Sequence, residues 1–173
     1  MGLHERAHAA SADVSARYPR RVDTAVLPPR LQEHLELVEL LPDRADRIQY
    51  LISQADRFRE VRPEVATRPF AESHRVPQCE SEAYVWATPR ADGSLDFHFA
   101  VENPQGVSAK ALATILGDSL AGEPPATVAA IPGDVVYALF GRELSMGKNL
   151  GLVGMLQMCQ AFARRQLSAA ANG

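Results

Sequence analysis

Apolar residues recur at helical spacing in two stretches near the start of the chain. Leu31, Leu35 and Val38 share one helix face, and Ile48, Leu51, Ile52, Ala55 and Phe58 form a second stripe. Pro28 and Pro29 suit the first turn of the first helix, where a missing N–H leaves no bond unmade, and Pro42 closes that helix. Asp43 is placed to cap the second, with Asp46 in its first turn. The two together read as an αα-hairpin. Residues 60–73, with Pro63 and Pro69, read as a connecting loop. The period then shortens. Leu95, Phe97, Phe99 and Val101 alternate with Asp96, His98 and Ala100, which predicts a strand over 95–101 with one face buried and the other partly wet. A partner strand is predicted over 83–88, joined to it by a link with an Asp92-Gly93 turn. Further on, Ser108 is placed to cap a helix reaching about residue 120, and Gly122 stops it. Short helices are predicted over 124–131 and 134–140. A final helix over 149–167 carries Leu152, Val153, Leu156 and Cys159 on its apolar side. Helices, then a hairpin, then helices make an α+β domain.

Composition narrows the class. The chain has 173 residues, 46% hydrophobic and 23% charged, which suits one soluble domain. Its net charge of −3, without a large basic patch, argues against nucleic acid as a partner. No apolar run approaches the roughly 20 residues of a membrane span. Two cysteines make no disulfide framework, so a reducing cytoplasm is the expected location. Residues 1–26 are rich in alanine, arginine and serine and read as a flexible tail; Glu5, Asp13 and Asp23 speak against an organelle transit peptide. The domain is expected over 27–168, with a short tail over 169–173.

The chemistry centres on the run Arg75-Val76-Pro77-Gln78-Cys79-Glu80-Ser81-Glu82-Ala83-Tyr84-Val85-Trp86. A proline precedes Cys79, polar residues flank it and an alternating stretch follows. The pattern predicts a thiol on a loop tip at the mouth of a strand, presented rather than packed. Cys159, by contrast, falls in an apolar helical pattern and reads as structural. Glycine-rich phosphate loops and C-x-x-C pairs are missing from the sequence. His4, His8, His34, His74 and His98 do not cluster at metal-ligand spacing, and His34 reads as a surface residue of the first helix. A cysteine protease would need an imidazole beside Cys79, for which His74 and His98 are available. A thiol that carries sulfur or acyl groups is the remaining reading. Its reactive form is the thiolate, favoured by positive charge from His74 and Arg75 and opposed by Glu80 and Glu82.

The segment Val76-Pro77-Gln78-Cys79-Glu80-Ser81-Glu82-Ala83-Tyr84 resembles the Val-x-Gly-Cys-Gln-Ser-Gln-Val-Trp motif of SufE-type sulfur acceptors. Two more matches follow in order. The stretch from Ser108 to Leu116 is similar to the family helix with a Val-Lys-Gly-Leu-Ile-Ala core. Leu144-Ser145-Met146-Gly147-Lys148-Asn149-Leu150-Gly151-Leu152 is similar to the Leu-(Ser/Thr)-Pro-Ser-Arg-x-x-Gly-Leu run before the last helix. The chain departs from the pattern at Gln78 (glycine in the family), at Glu80 and Glu82 (glutamines), at Tyr84 (tryptophan) and at Lys148 (arginine). Asn103 or Gln105 stands where an aspartate is expected.

The resemblance implies a small antiparallel sheet of about three strands packed against several helices. It implies that Cys79 takes the terminal sulfur of a persulfide on a SufS-type cysteine desulfurase. Cys79 would then hand it to an iron–sulfur scaffold of the SufB/SufBCD or SufU/IscU type. Lys148 would lie near the thiol or at the docking face and help hold an anionic sulfur, and Ser81 would bond back to the loop or only turn it. Tyr84 and Trp86 would pack on the sheet. No cofactor is implied for the chain itself; pyridoxal phosphate would belong to the desulfurase. Two other readings stay open: an iron–sulfur or zinc scaffold of similar fold, and a nonenzymatic adaptor whose thiol is incidental.

Overall fold

The computed structural model describes residues 26–142 and 144–173. The expected tail over 1–26 falls, apart from Val26, outside the described residues. Helix α1 (Pro29–Leu40) opens with Pro28 and Pro29 at its start and buries Leu31, Leu35 and Val38, as the pattern predicts. Helix α2 (Arg44–Asp56) departs from expectation in part. Gln54 is its buried residue, while Ile48 and Ile52 are 44% and 36% exposed. The reason lies in how α2 docks. It meets its neighbours through Leu51 and Phe58, which pack against the main core, through Tyr50, against His34 of α1, and through Arg57 just past its end, paired with Asp118 at 2.8 Å. Gln54 sits beneath, accepting from Arg57 at 2.8 Å. Asp43 stands at the N-cap without a side-chain bond, and His34, expected at the surface, is half-buried against Tyr50.

Strands β1 (Ala83–Pro89) and β2 (Leu95–Val101) form a two-stranded antiparallel sheet with Val85 opposite Phe99. The turn between them uses Gly93 at φ +84°, and Asp92 accepts from the Ser94 amide at 3.0 Å. The expected third strand is reduced to a single bridge, Arg75 to Tyr84, extended by the Val76 amide donating to the Ala83 carbonyl at 2.8 Å. Pro77 lacks an N–H and ends the ladder there.

Val85, Phe97, Phe99 and Val101 face the main core, against helix α3 (Val107–Leu120) and helix α6 (Met146–Ala171). Helices α4 (Pro125–Ala129) and α5 (Asp134–Phe140) close the far side. Leu112, Ile115, Leu116, Met155 and Leu156 are fully enclosed there. The other sheet face is partly wet, as its alternation suggested, with Asp96 and His98 partly exposed, and partly covered. Trp86 and Ala100 are buried under Val61, Val65, Ala66 and Phe70 of the long connection before the sheet. That connection is pinned by the Val61 amide donating to the Phe99 carbonyl at 2.7 Å and by Arg68 bridging Glu60 and Glu102. Helix α6 starts three residues earlier than the pattern suggested, because Ser145 caps it by accepting from the Lys148 amide. Among the described residues no helix is long and apolar enough to cross a membrane.

This packing sets the stability of two variants apart. Leu116→Ala should cost about 2–5 kcal/mol, since it opens a cavity in the core. Leu40→Ala, at a 79% exposed position, should stay within about 0.5 kcal/mol. Urea midpoints check both, and equal midpoints would contradict the assignment of the core. His34 and His98 each titrate below the usual 6.5 because burial disfavours their charged forms. The unfolded chain therefore takes up these protons first. Their contribution is complete above pH 6.5 and is lost as pH falls toward their folded values. The urea midpoint should drop below pH 6.5, and His98→Gln should flatten that drop. An unchanged slope in this variant would remove His98 from the account.

Candidate functional site

Cys79 sits at the tip of the small return between the Arg75 bridge and β1. A tight turn closes there, the Glu82 amide donating to the Cys79 carbonyl at 3.1 Å. Two residues of this turn take left-handed backbone, Gln78 at φ +55° and Glu82 at φ +48°. The position held by glycine in the resembling motif thus keeps a glycine-like conformation although glutamine occupies it.

The thiol is not presented at the surface. Cys79 is 9% exposed and belongs to the main core cluster. The correction has a clear cause in α6. Gly147, Gly151 and Gly154 lie on one face of that helix, and the segment from Val76 to Glu80 lies directly across them. A Cβ at Gly151 would come within 3.0 Å of both Cα and Sγ of Cys79. One at Gly154 would meet Val76 at 3.0 Å, and one at Gly147 would collide with the Glu80 carboxylate. Contacts of 3.0 Å are tighter than nine in ten real Cβ contacts, so the loop packs at this depth against a helix face that lacks Cβ atoms.

Buried does not mean sealed. Cys79 lines a cavity of about 230 Å³ together with Glu80, Ser81, Lys148 and Leu152. The rest of its wall comes from Gly147 and from residues 105–109, at and just before the start of α3. A second tight junction puts α3 there. The Asn103 amide donates to the Ser81 carbonyl at 3.2 Å, Asn103 Oδ1 accepts from the Gln105 amide, and the Gly106 amide returns to the Asn103 carbonyl. A Cβ at Gly106 would press on Val101 at 2.7 Å and on Ser81 at 3.0 Å. The starts of α3 and α6 therefore both face the sulfur's cavity. Helix starts carry amides without intrahelical acceptors and partial positive charge, and Lys148 adds a full one. The Glu80 carboxylate, packed on Gly147, supplies the negative charge.

Of the residues singled out from sequence, Cys79, Glu80, Ser81 and Lys148 meet at this cavity. His74, Arg75 and Glu82 do not line it. His74 bonds to the backbone of β1, its Nδ1 donating to the Val85 carbonyl at 2.9 Å, with its ring stacked between Trp86 and Phe162. Arg75 pairs with Glu72 at 3.3 Å and with Glu82 at 3.5 Å. Tyr84 and Trp86 stack on the second sheet face, as packing residues should. Gly106 and Val107 went unremarked in the sequence, where their only signal is a glycine beside a predicted helix start, and Gln105 and Gly147 were noted there only within the resembling motifs. Cys159 is fully buried, and desolvation pushes its thiol far above the ordinary range. Among the described residues no group of three His, Cys, Asp or Glu side chains is arranged to hold a metal ion.

Gly151→Ala should lift the Cys79 loop from α6, destabilise the protein by about 1–3 kcal/mol and change the rate at which iodoacetamide alkylates Cys79. Gly133→Ala, which meets nothing within 4 Å, is the control and should do neither. Equal behaviour of the two variants would refute the close approach.

Comparison with known proteins agrees with this geometry. The family model of the SufE, Fe–S metabolism associated domain matches residues 32–163. The solution structure of a hypothetical protein from Thermus thermophilus is similar, with a TM-score of 0.63 and 27% identity over 82% of this chain and 98% of that one. The comparison with curated proteins finds no match. A domain match over most of the chain, on a fold that brings its cysteine motif to a shared cavity, places the protein in the SufE family of Fe–S metabolism associated domains.

Proposed function

We propose that the protein accepts sulfur from a SufS-type cysteine desulfurase onto Cys79 and passes it to an iron–sulfur scaffold of the SufB/SufBCD or SufU/IscU type. The observation that carries this reading is the position of Cys79 on a cavity faced by Lys148 and the starts of two helices. The Cys79 thiolate attacks the outer sulfur of the donor's cysteine persulfide. A new S–S bond forms at Cys79, the donor's S–S bond breaks, and the donor cysteine leaves as a thiolate that takes up the proton released by Cys79. The transferred atom keeps its oxidation state, so no external oxidant or reductant enters. The product is a persulfide anion, and the cavity suits an anion: Lys148 and the starts of two helices line it.

In this reading the chain is a carrier and activator rather than a stand-alone enzyme, and it works in the reducing cytoplasm, where a free thiol persists. The pyridoxal phosphate that cleaves cysteine belongs to the desulfurase. Membership of a family associated with Fe–S metabolism supports the destination of the sulfur.

Incubation with a SufS-type desulfurase and L-cysteine should add one sulfur atom to the intact mass, removable by dithiothreitol. Cys79→Ser should add none, and Cys159→Ala should load like the wild type. Full loading of Cys79→Ser would end the assignment.

A further inference from the structure

Away from the sulfur, a groove of about 720 Å³ lies between the chain leaving α2, the outer edge of β2 and the second half of α3. It shares no lining residue with the Cys79 cavity. Ala113, Gly117 and Ala121 recur every fourth residue along α3 and its C-cap, and their short side chains leave the space open. Phe58, Phe97 and Phe99 give it aromatic walls. A space of this size, apolar in part and with a few polar groups, suits a small molecule.

The edge of β2 brings unused hydrogen-bonding groups to this groove. Leu95, Phe97 and Phe99 share one parity of the ladder. The Leu95 carbonyl accepts from the Gly122 amide at 3.2 Å and the Phe99 carbonyl from the Val61 amide at 2.7 Å, so backbone groups of this parity point away from β1. Phe97 stands between them on the groove wall, and its N–H and C=O have no partner among the described residues. Enclosed backbone groups ordinarily find one. The two pinned carbonyls lie about 14 Å apart along the strand. A further strand is blocked at both ends, while a single amide group fits between.

Charge indicates the rest of the ligand. Three carboxylates of the lining are already paired, Asp118 with Arg57 at 2.8 Å, Asp96 with Arg90 at 2.6 Å and Glu60 with Arg68 at 2.5 Å. Arg59, Arg62 and Asp56 have no ion pair among the described residues, two positive groups against one negative. In a chain of net charge −3, the groove thus keeps an excess of positive charge. Arg62 stands near enough to His98, on the same wall, for its charge to act on that ring.

We propose that this groove binds a small carboxylate that carries an amide group and an apolar body, a molecule the size of an acylated amino acid. The carboxylate meets Arg62 and Arg59, the amide pairs with the N–H and C=O of Phe97 as a neighbouring strand would, and the apolar body fills the space beside Gly117. The site is independent of Cys79 and does not rest on the sulfur-acceptor reading.

The test is a titration of the isotope-labelled full chain with N-acetyl-L-phenylalanine, followed by amide chemical shifts. The amides of Phe97 and Gly117 should move, and those of Ser81 and Leu152 at the Cys79 cavity should not. N-acetyl-L-phenylalaninamide, which lacks the carboxylate, should bind about tenfold more weakly, and hydrocinnamate, which lacks the amide, about threefold more weakly. Arg62→Glu should raise the Kd at least about tenfold. Gly117→Leu should abolish binding. A Cβ there meets Phe99 at an ordinary 3.7 Å, and the rest of the leucine occupies the groove. Arg62 is exposed, so Arg62→Glu keeps the test valid should Gly117→Leu fail to fold. A titration that leaves Phe97 unmoved, equal binding of the three probes, or an unchanged Kd in Arg62→Glu would overturn the proposal. A hexapeptide ending in phenylalanine that binds more tightly than the acetylated residue would make the occupant a protein chain, and would overturn it too.

Discussion

The segment that carries the thiol lies on a helix that has no side chains beneath it, and the working parts of the protein depend on that contact. Gly147, Gly151 and Gly154 make one smooth face on α6, and the chain from Val76 to Glu80 crosses it at a separation that an added Cβ would crowd. The contact sets the depth of Cys79, and the depth decides that its sulfur belongs to the core on one side and to a cavity on the other. It also sets direction. With the loop pressed to α6, the return through Ser81 meets the turn at Asn103, and that meeting aims the start of α3 at the same cavity. Dispersion and exclusion at close range, rather than any single polar bond, build the site.

The electrical character of the cavity follows from this placement. Two helix starts are brought to one small space, and their partial positive charge makes it hospitable to an anion even though the chain as a whole is acidic. Glu80 offsets part of that field. Its carboxylate rests on Gly147 in the first turn of α6, so the empty site already holds a negative group beside the place where a persulfide charge would appear. Lys148 lines the same wall and carries the opposite sign. The glutamine found at this position in the resembling motif would leave the helix start uncompensated, which makes Glu80 a feature of this chain's own tuning.

Much of the architecture could be read before any coordinates. Strict alternation from Leu95 to Val101 marks β2, and the Asp92-Gly93 pair marks its turn. The motif around Cys79 and the later Lys148 run pointed to two residues far apart in the chain that the fold brings to one cavity. What could not be read was decided by partners remote in sequence. The polar neighbours of Cys79 suggested exposure, but its burial is caused by glycines on α6, whose effect is an absence of atoms. His74 lies near Cys79 along the chain, yet the short helical turn at Glu72–His74 sends its ring to the opposite sheet face, against Trp86 and Phe162. The stripe on α2 obeyed the helical period and marked the core only in part: Leu51 and Phe58 pack against it while Ile48 and Ile52 face outward, because periodicity shows that a face is apolar and not what it meets.

The paired left-handed residues at Gln78 and Glu82 give the loop a thermodynamic bias. For residues other than glycine such a backbone costs roughly 1–2 kcal/mol. Here that cost is concentrated at the two ends of the turn bearing the sulfur and is offset by its seat on α6. Lifting the turn from its seat would return part of this energy, so drawing the thiol outward is easier than its enclosure alone implies. The shielded sulfur thus sits on a turn whose backbone cost opposes part of the packing that encloses it.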